Sequence, residues 1–297
     1  MEPRKPLKVA LVIVTLIIAC SPQSQPVDKN TPNFVGTWTL TEYIPHAEGS
    51  SEWVTYGDSI IYQKHLTKDH FTWFKYDQKN NSLLGMGGGS YKIENGQYVE
   101  DIEFFYPPGS SELGQAIPFD FKFPKNKWHH TGFAKVMEID RESGEIIVVD
   151  SNKIEEKWVK TEMIKGKPNN IVGTWDLISY REQSDGNYIE YPEYVGYIKL
   201  ITPTHFTWIY YNKEADEIYA AGSGNYTYDT GTYSETINMI YPTNTGQLGE
   251  TIEFSAKLEN NRWKHKGQLP VISIDSTNGN IIRDSALIDE VWKPHSE

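Results

Sequence analysis

The sequence predicts an all-β protein in which one fold is written twice, and three observations predict it. The first is a repeat. His70-Phe71-Thr72-Trp73 returns as His205-Phe206-Thr207-Trp208. The flanks follow in the same order: Phe34-Val35-Gly36-Thr37-Trp38 as Ile171-Val172-Gly173-Thr174-Trp175, Leu113-Gly114 as Leu248-Gly249, Trp128-His129-His130 as Trp263-Lys264-His265, and Glu156-Lys157-Trp158 as Glu290-Val291-Trp292. The offset stays between 134 and 137, which marks a domain duplication and not a solenoid of short repeats. The second observation is period-two alternation broken by Gly, Asn, Asp and Pro, with no long 3.6-residue periodicity. The third is an aromatic content of 9 Trp, 19 Tyr and 11 Phe, which suits strands and aromatic-lined interiors.

Copy one spans residues 34–160 and copy two 171–297, each long enough to bury a core of its own. In copy one, Tyr98, Glu100, Ile102, Phe104 and Tyr106 alternate with Val99, Asp101, Glu103 and Phe105, and Phe119, Phe121 and Phe123 alternate with Asp120 and Lys122. Ile146-Ile147-Val148-Val149 forms a further strand. Asn95-Gly96 and Thr230-Gly231 are matched turns, as are Lys125-Asn126-Lys127 and Asn260-Asn261-Arg262. Gly85-Met86-Gly87-Gly88-Gly89 is no phosphate loop, because no Gly-Lys-Ser/Thr follows. With Gly222-Ser223-Gly224 it marks a bend or bulge in a strand. Pro45 to Tyr62 stays open between a short helix and a loop. Many short antiparallel strands in each copy give a closed barrel or a sandwich, and closure removes exposed strand edges.

Residues 1–20 form a targeting segment. Arg4, Lys5 and Lys8 precede the apolar run Val9 to Ala19, which is too short to span a membrane. Its end, Leu16-Ile17-Ile18-Ala19-Cys20, resembles a bacterial lipobox. The resemblance implies cleavage before Cys20 and acylation of its thiol, so that the lipid holds the protein to a membrane of the Gram-negative envelope. Ser21 stands where an Asp would signal inner-membrane retention, which points to the outer membrane. Cys20 is the single cysteine, so no intramolecular disulfide forms. Residues 21–33 are polar and Pro-rich, a tether. Residues 161–170 are a polar linker.

The Gly36-Thr37-Trp38 and Gly173-Thr174-Trp175 openings resemble the Gly-x-Trp signature of the lipocalin superfamily. Together with His-Phe-Thr-Trp and a closing Glu-x-Trp, they make the chain similar to the tandem lipocalin-like lipoproteins of the bacterial envelope. The resemblance implies two tandem up-and-down antiparallel β-barrels of about eight to ten strands, with interiors able to hold a small apolar molecule. It also implies a basic residue over the Trp of Gly-x-Trp. The candidates differ between copies, since Lys160 aligns with Pro294 and Val159 with Lys293.

The alternation places polar groups on apolar faces. Glu100 shares a face with Tyr98, Ile102 and Phe104, and Glu235 with Tyr233, Ile237 and Met239. His130 goes with Trp128, His265 with Trp263, Glu156 with Trp158 and Glu290 with Trp292. An inward carboxylate needs a partner, and His130 and His265 are the candidates. In the His-Phe-Thr-Trp strands, Phe and Trp face inward and the His marks the strand entry. The candidate ligand-binding set is therefore Trp73, Tyr98, Glu100, Trp128, His130, Glu156 and Trp158 in copy one, and Trp208, Tyr233, Glu235, Trp263, His265, Glu290 and Trp292 in copy two.

Three readings of this set compete: a polar network that fixes the barrel interior, a ligand-recognition site, and a catalytic or metal site. No His-Glu-x-x-His pattern and no Gly-x-Ser-x-Gly elbow is present, so no catalytic residue, metal or cofactor is assigned. The expected partners are a small apolar or amphipathic molecule in one or both barrels, and the membrane through the lipid on Cys20. A non-enzymatic scaffold with packed barrels is the alternative, and a barrel enzyme the third. The net charge of −12 argues against nucleic acid. Ala256, where copy one has Phe121, predicts a roomier second interior.

Overall fold

The structure is a computed structural model that describes residues 32–141, 143–161, 170–243, 247–274 and 281–295. Cys20, the targeting segment expected over residues 1–20, and most of the expected tether and linker lie outside the described residues. Copy one contributes β1 (Gly36–Tyr43), β2 (Ile60–Leu66), β3 (His70–Asp77), β4 (Ser82–Glu94), β5 (Gln97–Tyr106), β6 (Ala116–Lys122), β7 (Lys127–Ile139) and β8 (Ile146–Lys160). Each strand pairs antiparallel with the next, and β8 returns to β1, closing a barrel. Copy two repeats this with β9 (Gly173–Tyr180), β10 (Val195–Ile201), β11 (His205–Asn212), β12 (Glu217–Asp229), β13 (Thr232–Tyr241), β14 (Thr251–Glu259), β15 (Arg262–Ile274) and β16 (Ile281–Pro294), closed by β16 on β9. The protein is thus all-β, two closed eight-stranded antiparallel barrels in tandem. The segment left open between helix and loop, Pro45 to Tyr62, holds one short 3-10 turn, His46–Glu48, and then the start of β2.

Local chemistry explains the register. Asn95 and Gly96 both take positive φ, as do Thr230 and Gly231, and Asn260 and Asn261, the conformation that two-residue hairpin turns require. The glycine runs lie on β4 and β12, where register shifts occur at Gly88/Gly89 and Ser223/Gly224. Backbone approaches so closely there that a Cβ on Gly89 would sit 2.1 Å from the Asp101 carbonyl oxygen. The bulges also correct one expectation. Each places an extra residue, Glu103 or Asn238, on the facing strand, and an extra residue flips the faces beyond it. Phe104 and Met239 therefore leave the face of Glu100 and Glu235 and join a cluster between the barrels. Phe105 packs on Trp73 instead, ring centres 5.4 Å apart.

Gly36 opens β1 with φ 141°, and a Cβ there would lie 2.5 Å from Lys160 Cε. The Lys160 ammonium rests 5.1 Å from the Trp38 ring centre, the basic cover expected for this Trp. Copy two lacks it. Pro294 stands opposite Trp175, and Lys293 turns to Asp176 at 3.9 Å. Both Trp side chains still donate Nε1–H to the chain four residues back, Trp38 to Phe34 at 2.8 Å and Trp175 to Ile171 at 2.7 Å.

The barrels meet along a seam built twice from the same residues. Thr37 and Thr202 hydroxyls lie 2.8 Å apart, and Thr67 and Thr174 hydroxyls 2.7 Å apart. Thr37 and Thr174 occupy one place in the repeat and Thr67 and Thr202 another, so one contact recurs about a pseudo-two-fold axis. Phe74, Tyr76, Met86 and Phe104 fill the seam against Leu200, Ile209, Tyr211 and Met239. Burying each such side chain contributes roughly 1.5–3 kcal/mol, which makes the pair of barrels one packed body.

Candidate ligand site inside the barrels

Period-two alternation aims one face of every strand inward, and in each barrel those faces converge on one charged set. In the first, Lys64 on β2 meets Glu100 on β5 at 2.6 Å, both at most 4 % exposed. His130 on β7 meets Glu156 on β8 at 2.7 Å, and Trp158 donates its indole N–H to the same carboxylate at 3.2 Å. The second barrel repeats this with Lys199–Glu235 at 2.8 Å, His265–Glu290 at 2.5 Å and Trp292–Glu290 at 3.1 Å. Burial here would be prohibitive for a lone charge, and pairing removes most of that cost.

The electrostatics follow from the pairing. Burial pushes the Glu156 carboxyl up, but His130, Lys64 and the Trp158 N–H together hold it below the usual range. Glu290 is held down in the same way by His265, Lys199 and Trp292. Burial, reinforced by the Lys64 charge, pushes His130 below its ordinary value, so its neutral ring donates Nε2–H to Glu156. Tyr62 and Tyr197, on the same inward face as the lysines, are pushed well above the phenol range by burial.

All fourteen residues singled out from the sequence belong to these interiors, seven in each. Trp128, Trp158, Trp263 and Trp292 are fully buried, as are Tyr98 and Tyr233. Trp73 and Trp208 face inward nearer the mouths; Trp73 packs on Tyr62 at 5.6 Å, and Trp208 lies 6.0 Å from Tyr197. One expectation needs correcting. The partner of Glu100 is Lys64, not His130, and the partner of Glu235 is Lys199, not His265. The histidines are taken by Glu156 and Glu290, which sit directly across the β7–β8 and β15–β16 ladders from them. Sequence reasoning missed the lysines, although Tyr62-Gln63-Lys64 returning as Tyr197-Ile198-Lys199 carried the signal.

The second interior retains a partly open cavity of about 60 Å³ that reaches both pairs. Lys199, Glu235, His265 and Glu290 supply its polar wall, Trp208, Phe254 and Ile288 its apolar wall, and Gln247 stands in the loop between β13 and β14. Ala256 is not part of the wall, so the cavity does not arise from the Phe121-to-Ala256 difference. Among the described residues, no group of three His, Cys, Asp or Glu is arranged to hold a metal ion.

No family model and no curated protein matches the chain. Among solved structures, a protein of unknown function from the DUF3598 family of Nostoc punctiforme aligns at 9 % identity and a TM-score of 0.18, covering 86 % of this chain and 96 % of that one. A similarity that low carries no functional argument. What the chain's own geometry defines is a class: tandem closed barrels that fit a lipocalin-like fold, each built around the same Lys–Glu and His–Glu pairs.

Proposed function

We propose that this is a lipid-anchored protein of the Gram-negative envelope that binds a small amphipathic molecule in its barrels. The observation that carries the reading is the cavity of the second barrel, which joins an apolar wall to a buried Lys199–Glu235 ion pair and a His265–Glu290 hydrogen bond. Its volume of about 60 Å³ sets the scale. It is far below the roughly 300–1,000 Å³ of sites for drug-sized ligands, so the occupant has a handful of heavy atoms and is not a lipid chain. The polar end lies on the charged wall, and the apolar end on Trp208, Phe254 and Ile288. The lipid on Cys20 supplies the membrane attachment.

A packed scaffold is the second reading, and the fully buried Trp, Tyr and Phe side chains of the first interior favour it. Native mass spectrometry of the full chain, expressed in a Gram-negative host and extracted from its membranes, tests both. The denatured mass is expected to show cleavage before Cys20 and added acyl groups. The native mass is expected to show a further small increment that denaturation removes. An unacylated mass sinks the anchor, and an increment-free native mass favours the scaffold.

A further inference from the structure

A groove of about 370 Å³ lies on the outer face of the second barrel, several times larger than the cavity inside it. Its floor is a row across four strands: His205 on β11, Asn225 on β12, Thr236 on β13 and Thr251 on β14, each paired with the next. Thr227 and Ser234, directly opposite each other, begin a second row. Alternation turns these side chains outward, because their neighbours Phe206, Glu235, Ile237 and Ile252 are buried in the barrel. Thr161 forms the wall, where the chain leaves β8 of the first barrel. Its N–H donates to the Thr37 carbonyl at 2.8 Å.

Thr is common on strands, because its branched side chain suits them, so a few hydroxyls alone would mark nothing. Two features set this face apart. The first is its chemistry. Among the described residues that line the groove, none is Asp, Glu, Lys or Arg, and burial lowers His205 to about 4, which keeps it neutral. Glu253, across the ladder from Ser234, lies outside the lining. Hydrogen-bonding capacity is also left over. The Thr161, Thr227 and Ser234 hydroxyls make no hydrogen bond among the described residues. Asn225 Oδ1 accepts from Asn238 at 2.8 Å, which leaves its amide N–H groups, and the Thr236 and Thr251 hydroxyls, 2.8 Å apart, commit one of their two protons to each other.

The second feature is that the first barrel does not share it. The register there is the same, yet the row reads His70, Ser90, Asp101 and Ala116, with Lys92 and Val99 in place of Thr227 and Ser234. His295 replaces Thr161 and makes the same bond, N–H to the Thr174 carbonyl at 2.9 Å. Its ring lies on His70 with centres 4.3 Å apart, and Asp176 holds its Nδ1 at 2.6 Å. One face is charged and covered by a side chain, the other uncharged and open.

We infer that the outer groove of the second barrel binds an uncharged saccharide of one or two rings. Cβ atoms facing each other on neighbouring strands stand about 4.5–5.5 Å apart, so their hydroxyls match hydroxyls on alternate carbons of a pyranose. Each Thr sets a methyl beside its hydroxyl, as a sugar sets C–H beside O–H. The volume falls at the low end of the roughly 300–1,000 Å³ of small-molecule sites. A phosphate, carboxylate or ammonium would find no countercharge in the lining. The site is separate from the barrel interior and is independent of the ligand proposed there.

Saturation-transfer NMR on the full chain, in a detergent without a sugar headgroup, tests this with maltose, cellobiose, lactose and N,N′-diacetylchitobiose. Chitobiose and cellobionate are the cationic and anionic controls. At least one neutral disaccharide is expected to bind, roughly tenfold or more tightly than either charged control. Ser234→Val with Thr251→Ala installs the residues of the first copy on the outer face. It should weaken binding roughly tenfold, the loss of one or two hydrogen bonds, with an unchanged thermal melt. Thr227→Lys, at a fully exposed position and again the residue of the first copy, is a second variant expected to weaken binding without affecting the fold. Saccharide binding that survives both variants, or charged controls bound as tightly as the neutral sugars, overturns the inference. So does a failure of every neutral disaccharide to bind, an outcome that leaves the reading of the barrel interior standing.

Discussion

The two barrels are alike in the charged floor of their interiors and differ in the packing above it, at the mouths and at single positions of the seam. Lys64, Glu100, His130 and Glu156 have counterparts with matching distances in Lys199, Glu235, His265 and Glu290. Above that floor the copies part. In the first, Phe34 sits at ring distances of 5.1 Å from Tyr98, 5.3 Å from Phe121 and 5.0 Å from Trp128. In the second, Ile171 and Ala256 stand in place of Phe34 and Phe121. Gln247 replaces Glu112, Pro294 replaces Lys160, and on the seam Leu200 replaces His65. The difference teaches that the ion-pair floor is what the fold requires of any copy, whereas mouth and seam are free to specialise.

If the floor is common property, breaking it should hurt both copies equally, and this is the largest effect expected. Lys64→Met leaves Glu100 buried without its cation, and Lys199→Met does the same to Glu235. Each should cost about 3–5 kcal/mol, read as a shift of the urea midpoint. Adding Glu100→Leu to Lys64→Met should recover most of the loss, since an apolar pair of similar volume replaces the buried charges. The seam predicts a single transition in every case. Two transitions, with the unmutated barrel melting at its wild-type midpoint, would mean that the barrels stand independently.

Much of this floor could be read from sequence, and the reason is periodicity. Glu100 lies between Tyr98 and Ile102, and His130 is two residues from Trp128, so strand alternation alone puts them inside. Lys64 lay in a less regular strand, where Gln63 and His65 blur the pattern, and a lysine suggests solvent unless a carboxylate is known to wait for it. The face switch at Phe104 was illegible for another reason. A bulge depends on what the facing strand does, and nothing local to Phe104 announces the extra residue at Glu103. The seam was equally hidden, because Thr37 and Thr67 show their role only when the partner barrel's Thr202 and Thr174 come within 2.8 Å.

The seam is also where the comparison can be sharpened by pH. Ser223 donates to the Phe206 carbonyl at 2.8 Å, Thr207 donates to Ser223 at 2.9 Å, and His65 Nδ1 lies 2.7 Å from the Thr207 hydroxyl. With both hydroxyl protons committed, His65 must donate from Nδ1, which leaves Nε2 buried and unpartnered among the described residues. Burial, helped by nearby His205, pushes His65 well below its ordinary range, and burial lowers His205 to about 4. Depressed histidines bind fewer protons folded than unfolded, so their contribution is full above about pH 6.5 and is lost as pH falls toward the folded value. For His205 the loss should reach about 2 kcal/mol at pH 5. Glu112 runs the opposite way: burial, with Glu100 and Glu156 nearby, pushes its carboxyl up to about 7, and a raised carboxyl loses stability as pH climbs from about 4.5 toward 7. His65→Leu, which installs the residue of the second copy, isolates the histidine effect. Between pH 7 and pH 5 its stability should fall less than that of the wild type. Parallel curves for the two proteins would show that burial does not depress His65 at the seam.

The smallest effect concerns the cover over the Gly-x-Trp tryptophan, which only the first barrel has. Lys160 lays its stem against Gly36 and its ammonium above Trp38, and half-burial lowers its affinity for a proton. A partly exposed cation over an indole is worth about 0.5–1 kcal/mol. Lys160→Met keeps the stem and removes the charge, so it should cost no more than that in urea. The second barrel already closes with Pro294 opposite Trp175 and Lys293 turned to Asp176. Lys293→Met should therefore move the midpoint even less, because its 3.9 Å contact with Asp176 is exposed and screened. A Lys160→Met loss of several kcal/mol would instead make the cover part of the common floor, and the second barrel would then need an equivalent that Pro294 cannot provide.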